Sequence, residues 1–196
     1  MIAVVPRILG TLFYYTPDHQ PTTDILPAIA ELPEYLNWQD IQQVRELCQT
    51  VVYSNKDGLR HDYTVLFEGL GEMPAAPWGS VYRDPENLVI GQSTQAYRAF
   101  LARESMAIDT GVNEPEDQFG LMLLALAALL EAEKDEAAAE LLETHLLPWA
   151  FRYLELVEKT SLNTSFYPLI AKITRHYIND MQQLLELSPP TVQLYR

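Results

Sequence analysis

Residues 113–132 read Asn-Glu-Pro-Glu-Asp-Gln-Phe-Gly-Leu-Met-Leu-Leu-Ala-Leu-Ala-Ala-Leu-Leu-Glu-Ala. From Phe119 to Leu130 the run is apolar on every side of a helix, interrupted only by Gly120. A helix without a polar face has to be surrounded by other elements, so this one belongs at the centre of a bundle. The run is too short to cross a bilayer. Pro115 at the first helical position, with Glu116 and Asp117 in the first turn, predicts a helix start there and an end near Ala132.

Working outward, the same periodicity recurs on both sides. A first helix runs from about Pro6 to Tyr15, with Ile8, Leu12 and Tyr15 at helical spacing. Prolines 17, 21, 27 and 33 break up the next stretch, which leaves room for a short helix at about Pro27–Leu32. Asp40 is the expected N-cap of a helix to about Tyr53, and Asn55–Gly58 is a turn. Helices follow at about Leu59–Phe67, from a Ser93 or Thr94 cap to about Met106, from Asp135 to about Leu146, from Pro148 onward, and from Ser165 to about Leu187. Leu88-Val89-Ile90 is too short to imply a sheet. With no repeat, linker or low-complexity segment, the chain reads as an all-α, single-domain helical bundle over residues 1–196.

One stretch departs from this pattern. Tyr63–Tyr82, YTVLFEGLGEMPAAPWGSVY, starts as a helix end and becomes a Gly- and Pro-rich loop that cannot be regular helix. Loops run over the surface and are usually polar. This one carries Phe67, Met73, Trp78 and Tyr82, so it either plugs the core or walls a site, and the expectation is that it does both.

The composition narrows the function. A net charge of −14 argues against nucleic acid as a partner and favours a basic one. The single cysteine, Cys48, cannot form an internal disulfide and has no metal-ligand spacing around it, so it reads as a small buried hydrophobe. The N-terminal stretch lacks the small-residue cleavage site of a signal peptide, and no stable membrane insertion is expected. There is no phosphate-binding Gly loop, no dinucleotide fingerprint and no Gly-x-Ser-x-Gly elbow around Ser80. The four histidines are scattered, and His61 and His145 have no evident partner. No catalytic residue, metal or cofactor is expected. Glu114, Glu116 and Asp117 form the densest carboxylate group near a helix start, where acids most simply offset the helix dipole.

Charge is unevenly placed. Nine acids (Glu114, Glu116, Asp117, Glu131, Glu133, Asp135, Glu136, Glu140 and Glu143) and one base, Lys134, fall between Asn113 and Leu146, whereas the rest of the chain beyond Leu146 is nearly balanced. An acidic patch beside an apolar loop suits a ligand that is cationic at one end and apolar along its length.

Three motifs in order now matter: Tyr63-x-x-Leu66-Phe67-x-Gly69, Pro77-Trp78-Gly79-Ser80-Val81-Tyr82, and Asn113-Glu114-Pro115-Glu116-Asp117-x-Phe119-Gly120. They resemble the TorD/DmsD family of redox-enzyme maturation chaperones, and the DmsD branch in particular. The opening Arg7–Pro17, His145-Leu-x-Pro148-Trp149 and the final Leu194-Tyr-Arg196 resemble that branch as well, so the likeness spans nearly the whole chain. It implies an all-α, non-enzymatic protein. Such a protein binds the twin-arginine signal peptide of a molybdopterin oxidoreductase, here a dimethyl sulfoxide reductase, in the cytoplasm and delays export until the cofactor is inserted. It implies further partners in the Tat translocase and cofactor-biosynthesis proteins, with transient residence at the inner membrane. The implied peptide-binding positions are Tyr63, Leu66, Phe67, Pro77, Trp78, Gly91, Glu114, Pro115, Asp117, Gln118 and Phe119. Two positions leave the family pattern: Gln118 stands where His is usual, and Leu70-Gly71 where Pro-Trp is common.

Read through the residues, Phe67, Trp78 and Phe119 would offer an apolar groove and Glu114 and Asp117 would pair with leader arginines, while Gly79 and Gly91 would admit backbone. Plain core packing competes as an explanation for each aromatic, most of all Phe119. A different class of function, a small hydrolase or nucleotide-binding enzyme using Asp117 and Ser80, would require a bound nucleotide or metal for which no motif is present. A chaperone for another client, such as nitrate reductase or formate dehydrogenase, is the remaining alternative.

Overall fold

The computed structural model describes residues 3–69, 71–87, 89–107 and 114–196. Leu70, Leu88 and Asn113, each part of a sequence motif above, lie outside the described residues. The elements are helices α1 (Val4–Tyr14), α2 (Gln20–Ile25), a 3-10 segment (Leu26–Glu34), α3 (Ile41–Tyr53), α4 (Leu59–Phe67), α5 (Gly79–Arg83), α6 (Gln92–Arg103), α7 (Phe119–Glu131), α8 (Asp135–Glu140), a π segment (Leu141–Leu146), α9 (Leu147–Lys159) and α10 (Phe166–Leu184). Among the described residues the sole β-type pairing is an isolated antiparallel bridge between Trp78 and Gln118.

The all-round apolar stretch is α7, and nearly all of it is buried. Each leucine fully withdrawn from water there contributes about 1.5–3 kcal/mol before entropy is counted. Its closest neighbour is α1, which crosses it at Gly10 and Gly120. Helix α9 packs on α10, and α10 on α3, which also rests on the 3-10 segment. Cys48 faces inward from α3, where burial pushes its thiol up to about 12.

Several boundaries differ from those the sequence predicts, each for a local reason. Helix α7 starts at Phe119, not Pro115, because Gln118 is the cap: its Oε1 accepts from Leu121 N at 2.9 Å. The acids at 116 and 117 precede the helix instead of lying in its first turn. Helix α6 starts at Gln92, ahead of Ser93 and Thr94, whose hydroxyls are used elsewhere. The loop expected to be wholly irregular contains the short helix α5. Asp40 does cap α3, accepting from Gln43 N at 3.0 Å.

The two helices expected on either side of Pro148 are one continuous rod with a π segment inside it. A proline in mid-helix has no N–H to give and crowds the carbonyl four residues back, and a widened turn relieves that crowding. The carbonyl four residues before Pro148 belongs to Thr144, and it accepts from Arg83 Nη1 at 3.3 Å. The π segment is therefore tied directly to the end of α5.

Two histidines without evident partners acquire neighbours, His61 a polar one and His145 aromatic ones. His61 Nδ1 lies 2.9 Å from Asn163 Nδ2, beside fully buried Asp62, which accepts from Asn163 N and Thr164 N at 2.8 Å each. His145 packs against the rings of Tyr97 and Phe100.

Candidate functional site

The site is assembled from the loop between α4 and α6 and the segment leading into α7. Two backbone bonds zip them together: Phe119 N donates to Pro77 O at 2.7 Å and Gly79 N to Asp117 O at 3.1 Å. Behind this seam lies an aromatic cluster. Phe119 meets Phe13 at 5.0 Å, Tyr153 at 4.7 Å and Trp149 at 5.7 Å between ring centroids, and Tyr82 stacks on Trp149 at 5.4 Å. Gly79 has to lack a side chain because a Cβ there would stand 2.9 Å from the Trp149 ring. The loop thus plugs the core with Tyr82 while turning Trp78 outward.

The two carboxylates have different environments. Asp117 is 3% exposed. Its Oδ2 accepts from Ser80 N at 2.7 Å and from Thr94 Oγ1 at 3.1 Å, so one carboxylate ties α5 to α6. Burial pushes its pKa up, and those hydrogen bonds act against the rise. Glu114 is only half-buried, and its Oε1 accepts from Trp78 Nε1 at 2.7 Å. Burial raises its pKa too, the indole bond opposes that, and the nearby Asp117 charge adds to it. Among the described residues no Lys or Arg is paired with Glu114, whereas its neighbour Glu116 holds Arg98 at 2.6 Å.

Of the eleven positions singled out from sequence, Trp78, Gly91 and Glu114 are half-exposed. Tyr63, Leu66, Phe67, Pro77, Pro115, Asp117, Gln118 and Phe119 are buried. Phe67 and Phe119 belong to the core behind the seam and do not line an open groove. Tyr63 donates its hydroxyl to Tyr14 O at the end of α1. Gln118 sends Nε2 to Phe13 O at 3.0 Å while its Oε1 caps α7, a two-way use of an amide that keeps the seam fixed to α1. Gly91 sits over Asp84, whose carboxylate a Cβ would overlap, and Asp84 in turn accepts from Ser93 Oγ at 2.8 Å. Ser80 is fully buried and its Oγ accepts from Ile90 N at 3.3 Å.

Sequence reasoning missed Val89 and Ile90. They are 43% and 41% exposed, large apolar side chains beside Gly91. Ile90 also has φ of +52° to +69° company in the chain, being itself at +69°, a strained value for a β-branched residue. Nothing in the sequence flags that strain. Arg83, Asp84 and Thr94 were missed as well, since their roles depend on how α5 and α6 meet.

Comparison with known proteins adds to this geometry. The family model described as nitrate reductase delta subunit matches residues 34–155. The Tat proofreading chaperone DmsD of Haemophilus influenzae is 35% identical over 100% of this chain and 97% of its own length. The Tat proofreading chaperone DmsD of Salmonella typhimurium is 30% identical over 99% and 95%. In fold, the crystal structure of a redox enzyme maturation protein from Archaeoglobus fulgidus superposes with a TM-score of 0.61 at 18% identity, covering 91% of this chain and 94% of that one. No helix among the described residues is long and apolar enough to cross a membrane.

Proposed function

This chain belongs to the nitrate reductase delta subunit family, on the branch of the Tat proofreading chaperone DmsD, and from that premise we propose that it binds a twin-arginine leader peptide. The client is a molybdopterin oxidoreductase subunit of the dimethyl sulfoxide reductase type, held in the cytoplasm until its cofactor is in place. The protein acts as a chaperone and performs no chemistry on the leader.

The observation that carries this reading is the Trp78–Glu114 pair. It is a half-exposed carboxylate with an aromatic ring beside it, partly desolvated and without a cation. Such a carboxylate gains most from a guanidinium, which offers two parallel N–H donors and a flat face for the indole. Glu114 is therefore the arginine-facing acid. Asp117 holds the loops that present it. The apolar part of the leader meets Val89 and Ile90, which are exposed beside the seam, instead of Phe67 and Phe119, which are not.

The test is a titration with a labelled leader peptide carrying consecutive arginines followed by an apolar stretch. Binding should saturate at one peptide per chain, and replacing both arginines with alanine should weaken it by about a hundred-fold. Equal binding of the two peptides overturns the reading.

A further inference from the structure

Beyond α10, residues 188–196 form no helix or turn, lie against the body of the protein and finish on the first loop of the site. Val192, Leu194 and Arg196 are half-buried, whereas Gln193 and Tyr195 between them are exposed, the alternation of an extended strand laid on a surface. Leu194 packs against the core. Tyr195 N donates to Tyr82 O at 2.9 Å, Asn87 Nδ2 reaches Tyr195 O at 3.4 Å, and Arg196 Nη2 donates to Met73 O. Arg152 Nε holds Arg196 O at 3.1 Å.

The Arg196 bond is notable for what else the loop lacks. Among the described residues, residues 71–76 make no other hydrogen bond, so the Arg196 guanidinium supplies the polar fastening of a stretch otherwise held by burial of Ala75 and Ala76. The groups offered by 191–196 are an arginine, alternating apolar side chains and the backbone N–H that Tyr195 gives to Tyr82. An extended, arginine-bearing peptide offers the same groups to the same carbonyls.

We infer that the strip formed by the Met73 and Tyr82 carbonyls is a docking surface for an extended arginine-bearing peptide, and that residues 191–196 occupy it as a stand-in which the leader displaces. This rests on the leader-binding reading and adds to it a built-in competitor. The contact is suited to exchange because it consists of a few hydrogen bonds at a partly exposed surface, each of small net worth. Its displacement lowers the observed leader affinity by the cost of lifting it.

Two full-length variants and the wild type test this with the same labelled leader peptide. Arg196→Ala removes the bond to Met73, and Tyr195→Pro removes the N–H given to Tyr82 while tolerating an extended backbone. Each should bind the leader about five-fold more tightly than the wild type. In the wild type, saturating leader should speed amide exchange across 191–196 as the segment lifts away. Unchanged or weaker binding in both variants overturns the inference, as does exchange in 191–196 that stays constant on leader addition. If neither the wild type nor either variant binds any leader, the function proposed above fails and this inference falls with it. Leader binding with no gain in the variants rejects the stand-in alone.

Discussion

Gly10 and Gly120 face each other where α1 crosses α7, so closely that a Cβ built on either would stand 2.8 Å from the carbonyl oxygen of the other. A Cβ at Gly120 would also stand 2.8 Å from Tyr14 N and 2.9 Å from the Phe13 carbonyl carbon. All of these are backbone atoms, which cannot swing aside. Gly120→Ala should therefore destabilise the protein by about 2–3 kcal/mol through enforced separation of the two helices. Gly10→Ala should cost a similar amount, and the double variant less than twice as much, since the helices separate once. Urea denaturation followed by circular dichroism measures this; a Gly120→Ala protein as stable as the wild type would show that the crossing has slack.

Glu114→Gln keeps an oxygen for the Trp78 indole and removes the charge. Leader affinity should fall about ten-fold while the melting temperature holds or rises, because a partly desolvated charge has been removed. Trp78→Phe removes the indole donor and should weaken the leader less. Isothermal titration alongside thermal melts separates the two effects; intact affinity in Glu114→Gln would move the arginine contact to another carboxylate.

Asp117 should behave in the opposite way. Asp117→Ala leaves Ser80 N and Thr94 Oγ1 without their shared acceptor inside the protein, at a cost of about 3 kcal/mol. Asp117→Asn retains an acceptor oxygen and should cost about 1 kcal/mol while holding leader affinity within about two-fold. A ten-fold loss of affinity in a stable Asp117→Asn protein would make Asp117 a direct partner of the leader after all.

His145 gives the fold a pH dependence. Burial among Tyr97 and Phe100, with the Arg83 charge nearby, holds its pKa down to about 4 from 6.5. Between those values the unfolded chain takes up a proton that the folded one refuses, so stability falls as pH drops from about 6.5 to 4. The loss is of the order of 3 kcal/mol. Asp117 and Glu114, whose pKa values are raised, contribute with the opposite sign at the acidic end, so the comparison has to be made between variants. His145→Phe fills the same aromatic niche and should flatten the decline over that window relative to the wild type, as read from urea midpoints at a series of pH values.

How far such features could be read in advance depended on whether their cause is local. The central position of α7 follows from its own composition, since a helix apolar on every side has only one place to go. The cap at Asp40 depends on a side chain three residues from its target, and it too was legible. The tight crossing was not, because Gly120 looks like a mere interruption until Gly10 is known to lie opposite. Pro115 with two acids after it satisfies every local rule for a helix start. The true start four residues later is set by Gln118 reaching back to Phe13 and forward to Leu121, and by Asp117 being committed to Ser80 and Thr94.

The site was legible in the same uneven way. The two motifs that build the seam were visible as motifs, and Trp78 and Glu114 were each singled out within them, but not the hydrogen bond that pairs them. Which members face solvent could not be read, because Phe67 and Phe119 differ from Trp78 in what packs behind them and not in type. Val89 and Ile90 were not read as site residues because so short an apolar run carries no periodicity, and the positive φ of Ile90 has no sequence signature.

The carbonyl of Thr144, left over by Pro148 and taken up by Arg83, has a mechanical meaning. It makes the long α8–α9 rod a reference against which the end of α5 is gauged. The end of α5 is thereby fixed to the rod within its widened turn. One proline thus accounts for both the widened turn and the carbonyl through which α5 is fastened.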